Sequence, residues 1–380
     1  MDEDAQLVAA DQVEDHPHPR EVLTIYGQDA AQARFLDAWS SDRLHHAWLL
    51  RGPVGVGKAT LSYRIARALI AEPPAGGLFG DPLPADRTLE TPQDCAVQAR
   101  IAAQSEPRLY VLRREWDQDK KPPRLQTQIS VDNVRAMRRF LQMSAADGGW
   151  RVVIIDTVDE MTVQAANALL KFLEEPPAET LFLLITHSPA GLLPTIRSRC
   201  RTLDLKPLAP DALAKALSQA GAELPNGAEI ALSELASGSA GKALRLLAGD
   251  GLQVYAQLVA MLRGGRGIDR PTMVRLSELC AGRDSADRYA LVLDLTKTLL
   301  ARLARAAVTG PPPAAANGET ELIHAVAAHP SQGQAWAETL ARISATTRHA
   351  MAVNLDPAQC VIDTFLEIDA TLGRVRTPAA

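Results

Sequence analysis

The chain has 380 residues, more than one ordinary hydrophobic core holds, so two or three domains are expected. Its composition, 47% hydrophobic and 22% charged residues, is typical of a globular protein. The formal net charge of −5 argues against a protein that coats nucleic acid through bulk charge, although it allows a local basic face.

The four cysteines lie far apart in the sequence and form no C-x-x-C pair. This spacing excludes a disulfide scaffold and a zinc ribbon, and it fits a reducing cytoplasm. The sequence contains no apolar run long enough to span a bilayer. Residues 1–20 are acidic and contain prolines, the opposite of the basic start of a signal peptide. We therefore expect a disordered acidic tail over 1–20 and a cytoplasmic protein without membrane contact.

Residues 21–206 alternate short apolar runs with helical patterns, which predicts a parallel sheet with crossover helices. Three of the apolar runs are candidate strands: Ala47–Leu50, Val152–Ile155 and Leu181–Ile185. Within this region, residues 71–95 are rich in Gly and Pro and are predicted to be an irregular surface insertion.

The remaining sequence is predicted to be helical. Residues 207–250 indicate a small helical unit, and 251–380 a second helical region. The segment TGPPPAAANGE, residues 309–319, interrupts that region and predicts an exposed connection. Asp356 and Pro357 are typical of the N-cap and first position of a helix, so the final helix should begin there.

The segment GPVGVGKAT, residues 52–60, nearly matches the P-loop pattern G-x-x-x-x-G-K-[ST]. Gly52, Gly55 and Gly57 would let backbone N–H groups face phosphate oxygens, and Lys58 would add a positive charge. The preceding strand and the following amphipathic helix are the context that a P-loop requires. A glycine-rich surface turn is the alternative interpretation.

The residue after the lysine departs from the P-loop pattern. Magnesium prefers oxygen ligands, and the methyl group of Ala59 supplies none. Thr60 lies one residue too late, about 100° further around the helix, so it does not replace the missing hydroxyl. The sequence predicts a site that retains phosphate-binding groups without efficient hydrolysis.

The segment VVIIDTVDEM, residues 152–161, resembles a Walker B strand that ends in a magnesium-binding aspartate, here Asp156. Active ATPases of the AAA+ type carry a glutamate at the next position, where this chain has Thr157, and a hydroxyl is a poor base at neutral pH. Asp159 and Glu160 are nearby carboxylates. Their favoured interpretation is that they stabilise the N-terminus of the following helix.

The segment TIRSRC, residues 195–200, contains two arginines, Arg197 and Arg199. Taken alone, it predicts a basic patch on a loop after a core strand.

Together, residues 44–60, the segment ANALLKFLEEPP (166–177) and the SRC segment (198–200) resemble bacterial clamp-loader ATPase subunits. These are AAA+ proteins that open a ring-shaped sliding clamp and place it on primed DNA. The resemblance runs from about Tyr26 to the last helix. It implies an α/β AAA+ P-loop domain over 21–206, a helical lid over 207–250 and an all-α collar over 251–380.

Three departures distinguish this chain from the family's motor subunit, the gamma/tau type. Ala59 and Thr157 replace the hydroxyl and the glutamate, and Gly241 in GSAGKAL stands where the motor has its sensor-2 arginine. They favour a stator-like subunit that does not hydrolyse ATP. An active motor subunit with unusual ligands is the alternative. A P-loop small-molecule kinase would leave the SRC segment and the helical third unexplained.

The resemblance also implies site residues and partners. Arg199 would act as an arginine finger in trans, in the ATP site of a neighbouring subunit, and Thr186 would be a sensor-1 vestige. The chain would require no cofactor and bind ATP or ADP at most weakly. It would bind no zinc, because Cys95 alone remains where relatives carry four cysteines. The implied partners are gamma/tau and delta subunits, the sliding clamp and primer–template DNA, within the DNA polymerase III holoenzyme.

Overall fold

A computed structural model of the chain describes residues 9–41, 43–72, 87–92, 94–120, 123–142, 148–264, 267–282, 285–353 and 355–376. The chain divides into two compact units. The first ends at Gly221 and also includes Ser239–Gly241, while the second consists of Ala222–Gly238 and the chain from Lys242 onward. The predicted lid over 207–250 is therefore divided between the two units.

The first unit contains a five-stranded parallel sheet in the order β2-β5-β6-β1-β7. Its strands are β1 (Ala47–Arg51), β2 (Leu109–Arg113), β5 (Arg151–Asp156), β6 (Thr180–Thr186) and β7 (Arg201–Asp204). A two-stranded antiparallel ribbon, β3 (Trp116–Asp117) with β4 (Arg124–Leu125), lies between β2 and β5 in the chain. The helices are α1 (Asp29–Ser40), α2 (Lys58–Ala71), α3 (Ala96–Ala102), α4 (Val131–Gln142), α5 (Val163–Glu174), α6 (Pro194–Arg197) and α7 (Pro210–Gln219). The predicted parallel sheet with crossover helices is confirmed, and so are the three predicted strands.

Helices cover both faces of the sheet, so the central strands are apolar on both sides. Every residue of β6 is buried. Leu183 packs in the core shared with α1, α2 and α3, whereas its neighbour Leu184 packs in the core shared with α4 and α5. Burying one such leucine contributes about 1.5–3 kcal/mol, so these two apolar layers fix the positions of the strand ends.

The parallel register aligns the polar ends of the strands at one edge of the sheet. Arg113 at the end of β2 lies opposite Asp156 at the end of β5, and Arg51 at the end of β1 lies opposite Thr186 at the end of β6. In open α/β sheets this carboxyl edge is where ligands bind. The fold therefore brings the P-loop, Asp156 and Thr186 to one edge.

The N-terminal segment differs from the predicted disordered tail in residues 9–20. His18 is fully buried, and only 2% of the Asp11 side chain is exposed. Arg67 of α2 anchors the end of the segment by donating to the Arg20 and Val22 carbonyl oxygens at 2.8 Å each. The acidic composition misled the prediction, because the Asp11 carboxylate is paired with Arg113 in the folded domain. Residues 1–8 lie outside the described part of the chain.

Most of the predicted insertion over 71–95 also lies outside the described residues. Its two described flanks are joined, since Arg87 Nε donates to Glu72 Oε1 at 2.8 Å. Glu72 also accepts a hydrogen bond from the indole of Trp39 at 3.3 Å. Cys95 is half-buried at the start of α3.

The second unit is helical in its described residues. It contains α8 (Glu229–Ala236), most of α9 (Ala240–Ala248), α10 (Gly251–Arg263), α11 (Arg270–Glu278), α12 (Ala286–Thr309), α13 (Glu319–Val326), α14 (Pro330–Ala352) and α15 (Pro357–Arg376). One apolar face of α12 is buried, and it includes Val292, Leu295, Leu299 and Leu303. Asp356 caps α15 by accepting from the Gln359 N–H at 3.2 Å, which confirms the predicted helix start.

None of the described helices combines the length and the apolar character that a bilayer span needs.

The connection over 309–319 is less exposed than its composition predicted. Glu319, at its end, is fully buried. Its carboxylate accepts from Tyr255 Oη at 2.7 Å, from Arg302 Nε at 2.6 Å and from the backbone N–H of Ala315 at 2.6 Å. Arg302 also donates to the Pro313 carbonyl oxygen at 2.6 Å. A buried ion pair therefore holds the proline-rich connection against the helices, and a periodicity pattern does not reveal such a pair.

Candidate functional site

The P-loop has the predicted strand–turn–helix context, between β1 and α2. Gly57 adopts a left-handed conformation, with φ of 100°, directly before α2 begins at Lys58. A residue with a side chain would be strained there, which accounts for the glycine. The N-terminus of α2 thus follows the glycine-rich loop directly, as it does in a phosphate-binding turn.

Lys58 is turned back onto its own loop. Its Nζ donates to the carbonyl oxygens of Gly52 at 2.6 Å and Pro53 at 2.5 Å, and the residue is only 3% exposed. Burial lowers the pKa of its ammonium to about 8, although the charges of Asp156 and Asp159 oppose this shift. A phosphate would have to compete with two carbonyl oxygens for this ammonium group.

Ala59, the residue after the lysine, packs its methyl group against the apolar core beneath the loop. Thr60 follows at a half-buried position. Ala59 therefore takes part in packing at the position where a P-loop ATPase presents a magnesium ligand.

The end of β5 is buried and electrostatically unfavourable for a carboxylate. Burial raises the pKa of Asp156 to about 7, the charges of Asp11 and Glu160 act in the same direction, and Lys58 and Arg113 oppose them. The next residue, Thr157, is 4% exposed, and its hydroxyl has no hydrogen-bond partner among the described residues. Thr157 thus places a buried hydroxyl at the position where an active ATPase carries a glutamate.

Asp159 and Glu160 lie in a short 3-10 turn (Val158–Glu160) before α5, so they do not act in the first turn of that helix. Asp159 instead accepts from Thr186 Oγ1 at 2.6 Å and from the His187 N–H at 2.5 Å. Glu160 pairs with Arg114 at 2.7 Å. The predicted stabilisation of the helix N-terminus is wrong, because Thr162 is the residue that caps α5.

Thr186, which the resemblance assigns to sensor 1, lies at the carboxyl edge of the sheet, and its hydroxyl donates to Asp159. The same carboxylate accepts from the Ser188 N–H at 3.3 Å. The pair fixes the turn after β6. Only the order of the strands reveals this contact, because the two residues lie in separate parts of the sequence.

The sensor-2 segment approaches the P-loop through its backbone. The Gly241 N–H donates to the Gly55 carbonyl oxygen at 3.1 Å, and Ser239 Oγ donates to the Val54 carbonyl oxygen at 2.8 Å. A Cβ atom added to Gly55, whose φ is 76°, would lie 2.4 Å from Ser239 Oγ. Gly55 and Gly241 thus allow a close contact between two backbones at this site.

Sequence reasoning missed the contribution of the N-terminal segment to this edge. Arg113 contacts Asp11 Oδ1 at 2.5 Å, and His18 Nε2 lies 3.1 Å from the same oxygen. Tyr63 Oη of α2 donates to Asp11 Oδ2 at 3.4 Å. The composition of residues 9–20 carries no signal for these contacts, because Arg113 and Tyr63 lie far from them in the sequence.

Arg199 lies between α6 and β7, away from the P-loop in the sequence, with 34% of its side chain exposed. Its Nη1 donates to the Thr195 carbonyl oxygen at 2.9 Å, and its Nη2 lies 2.6 Å from Glu174 Oε1. Arg197 is exposed at the end of α6. Burial raises the pKa of the neighbouring Cys200 thiol to about 12, and its side chain packs against the apolar core that contains α4 and α5.

In the described residues, no group of three or more His, Cys, Asp or Glu side chains is arranged to hold a metal ion.

Comparisons with known proteins identify relatives of this chain. A family model described as "DNA polymerase III, delta subunit" matches residues 27–209, a little under half of the chain. The chain is 37% identical over 220 residues to "DNA polymerase III subunit delta'" of Pseudomonas aeruginosa, covering 58% of this chain and 60% of that protein. It is 33% identical over 229 residues to the protein of the same name from Escherichia coli K12, covering 60% of this chain and 62% of that protein.

A relative named as a tau subunit also matches. "DNA polymerase III subunit tau" of Salmonella typhimurium is 31% identical over 256 residues, covering 65% of this chain and 36% of that protein. The chain thus spans about 60% of the length of the delta-prime relatives. The predicted resemblance to clamp-loader subunits is confirmed. The relatives named delta-prime match at 33–37% identity, and the tau relative matches at 31%.

Proposed function

We propose that this chain, which resembles delta-prime subunits of DNA polymerase III, is a stator-like subunit of a bacterial clamp loader. In this role it does not hydrolyse ATP itself. It supplies Arg199 to the ATP site of a neighbouring subunit, and it takes part in placing the sliding clamp on primer–template DNA. Its partners are gamma/tau motor subunits, a delta subunit and the clamp.

The state of the P-loop is the observation that carries the proposal. The Lys58 ammonium is buried against the loop's own carbonyl oxygens. No hydroxyl follows it at Ala59, and a buried threonine, Thr157, stands where hydrolysis needs a base. The lysine is therefore engaged by the loop itself, and both the magnesium ligand and the base are missing. We infer that the loop is retained for packing and binds ATP or ADP at most weakly.

Arg199 supports the second half of the proposal. A guanidinium is planar and permanently charged, and it stabilises the charge that spreads over phosphoryl oxygens in the transition state. In GTPases, such arginines contribute about 10³–10⁵ in rate. With a third of its side chain exposed, Arg199 is accessible to a neighbouring subunit. Thr186 is bound to Asp159 and remains a vestige of sensor 1.

Steady-state phosphate release by the isolated protein, with and without primed DNA, tests the absence of a motor. We expect no DNA-stimulated turnover, and Lys58→Ala serves as the control for contaminating ATPases. Turnover of about one per second or more that Lys58→Ala abolishes would favour the alternative, an active motor subunit. The match to a tau subunit is the reason for testing this alternative.

Elemental analysis of the same preparation tests the proposal that no zinc is bound. One zinc per chain that is lost on changing Cys95 would contradict it.

A further inference from the structure

Two groups of the same unit hold the Arg199 guanidinium in place. The Thr195 carbonyl oxygen accepts from Nη1 at 2.9 Å, and the Glu174 carboxylate lies 2.6 Å from Nη2. An arginine side chain carries five N–H donors in a planar fork. Contacts to two of its nitrogens fix the plane of that fork and leave donors for another ligand.

Glu174 reaches this position from a rigid element. It is the last residue of α5, a helix whose residues Leu169 and Leu173 are buried in the core beneath the sheet. The His46 ring donates from Nε2 to the Leu173 carbonyl oxygen at 2.9 Å and so anchors the end of the helix. Pro176 then prevents the helix from continuing. The carboxylate therefore starts from a well-anchored backbone.

We infer that Glu174 is a positioning residue for Arg199, a role that rests on the proposed arginine finger. A free arginine side chain populates many rotamers, and ordering it on contact opposes binding. The ion pair orders the guanidinium before the neighbouring subunit's nucleotide arrives. A misplacement of about 1 Å costs up to about 100-fold in rate, so this orientation matters for catalysis.

The ion pair contributes little to the stability of the chain itself. The side chains of Arg199 and Glu174 are 34% and 49% exposed, and water screens the attraction between partly exposed charges. Glu174→Gln keeps the size of the side chain and removes its charge. Glu175→Gln is the matched control, because it makes the same change at the next, exposed position.

The test uses loaders reconstituted with wild-type protein, Glu174→Gln, Glu175→Gln, Arg199→Ala and the Glu174→Gln/Arg199→Ala double variant. The measurement is kcat and KM for ATP in the presence of clamp and primed DNA, after gel filtration confirms assembly. We expect Glu174→Gln to lower kcat about tenfold with KM for ATP changed less than twofold, as for an interaction made only in the transition state. The double variant should be no slower than Arg199→Ala, and Glu175→Gln should match wild type.

The outcomes separate the two proposals. Normal activity in Arg199→Ala would overturn the arginine finger, and the positioning role with it. If Arg199→Ala is slow while Glu174→Gln is normal, only the positioning role is wrong. A faster Glu174→Gln loader would show that Glu174 restrains the arginine instead of positioning it. Equal losses in Glu174→Gln and Glu175→Gln, or additive losses in the double variant, would also contradict the inference.

Discussion

The backbone N–H of Gly241 donates to the Gly55 carbonyl oxygen at 3.1 Å, which places the sensor-2 segment directly on the P-loop. A Cβ atom at Gly241 would lie 3.1 Å from the Gly55 Cα, closer than an ordinary van der Waals contact. Gly241 thus makes a close backbone contact with the P-loop that a larger residue would disturb.

Gly241→Ala should therefore lower the melting temperature even though Gly241 lies in helix α9. Replacing a helical glycine by alanine normally stabilises a protein by about 0.5–1 kcal/mol. Gly373→Ala in α15 is the matched control, because an added Cβ there would meet no other described atom within 4 Å. We expect the control to raise the melting temperature, as measured by circular dichroism. A similar increase in both variants would show that the contact with Gly55 is not tight.

Asp11→Ala should destabilise the protein, because it removes the acceptor of a buried network. Arg113 and His18 would lose their carboxylate, and breaking a buried pair costs about 3–5 kcal/mol. Urea unfolding at pH 7 measures the effect. Glu14→Ala, an exposed acidic residue of the same segment, is the control and should change the free energy of unfolding by less than about 0.5 kcal/mol. Equal effects would mean that residues 9–20 do not pack as described.

The cost of Asp11→Ala should also depend on pH. The partners His18 and Arg113 lower the pKa of Asp11 against the opposing effect of burial. A carboxyl whose pKa is lower in the folded state stabilises the protein above its unfolded pKa of about 3.9, and this contribution is lost as the pH falls through the folded value. The difference between wild type and Asp11→Ala should thus shrink below about pH 4. A constant difference from pH 7 to pH 3 would contradict the assigned partners.

Arg302→Ala should destabilise the second unit strongly, by about 3–5 kcal/mol, because it leaves the buried Glu319 carboxylate without its cation. Arg305→Ala is the control on the same helix, at an exposed position. Thermal unfolding followed by calorimetry distinguishes the two. If both variants melt together with wild type, the ion pair does not hold the proline-rich connection.

Local pattern predicted the elements of this chain well. The apolar runs at 47–50, 152–155 and 181–185 form buried parallel strands, because a strand covered by helices on both faces needs apolar side chains on both of its sides. Asp356 and Pro357 predicted the start of α15 because helix capping depends on neighbouring residues.

Contacts between distant residues were not predictable in the same way. Asp159 was assigned to the next helix, but it binds the end of β6, which lies beside β5 only in the folded sheet. Asp11 and Glu319 were assigned to solvated segments because acidic and proline-rich composition predicts exposure. Asp11 is paired with Arg113, and Glu319 is paired with Arg302. Composition does not show which arginine pairs with a given acidic residue.

The ATPase rate of the reconstituted clamp loader carrying Arg199→Ala tests the central claim most directly. We expect the complex to assemble normally, because a partly exposed loop residue contributes little to its own core. ATP turnover and clamp loading should fall by about 10³-fold or more, since the neighbouring ATP site loses its transition-state cation. Arg199→Lys should rescue poorly because an ammonium lacks the planar fork, and Arg197→Ala should have the smaller effect. Equal turnover in wild-type and Arg199→Ala loaders would contradict the account.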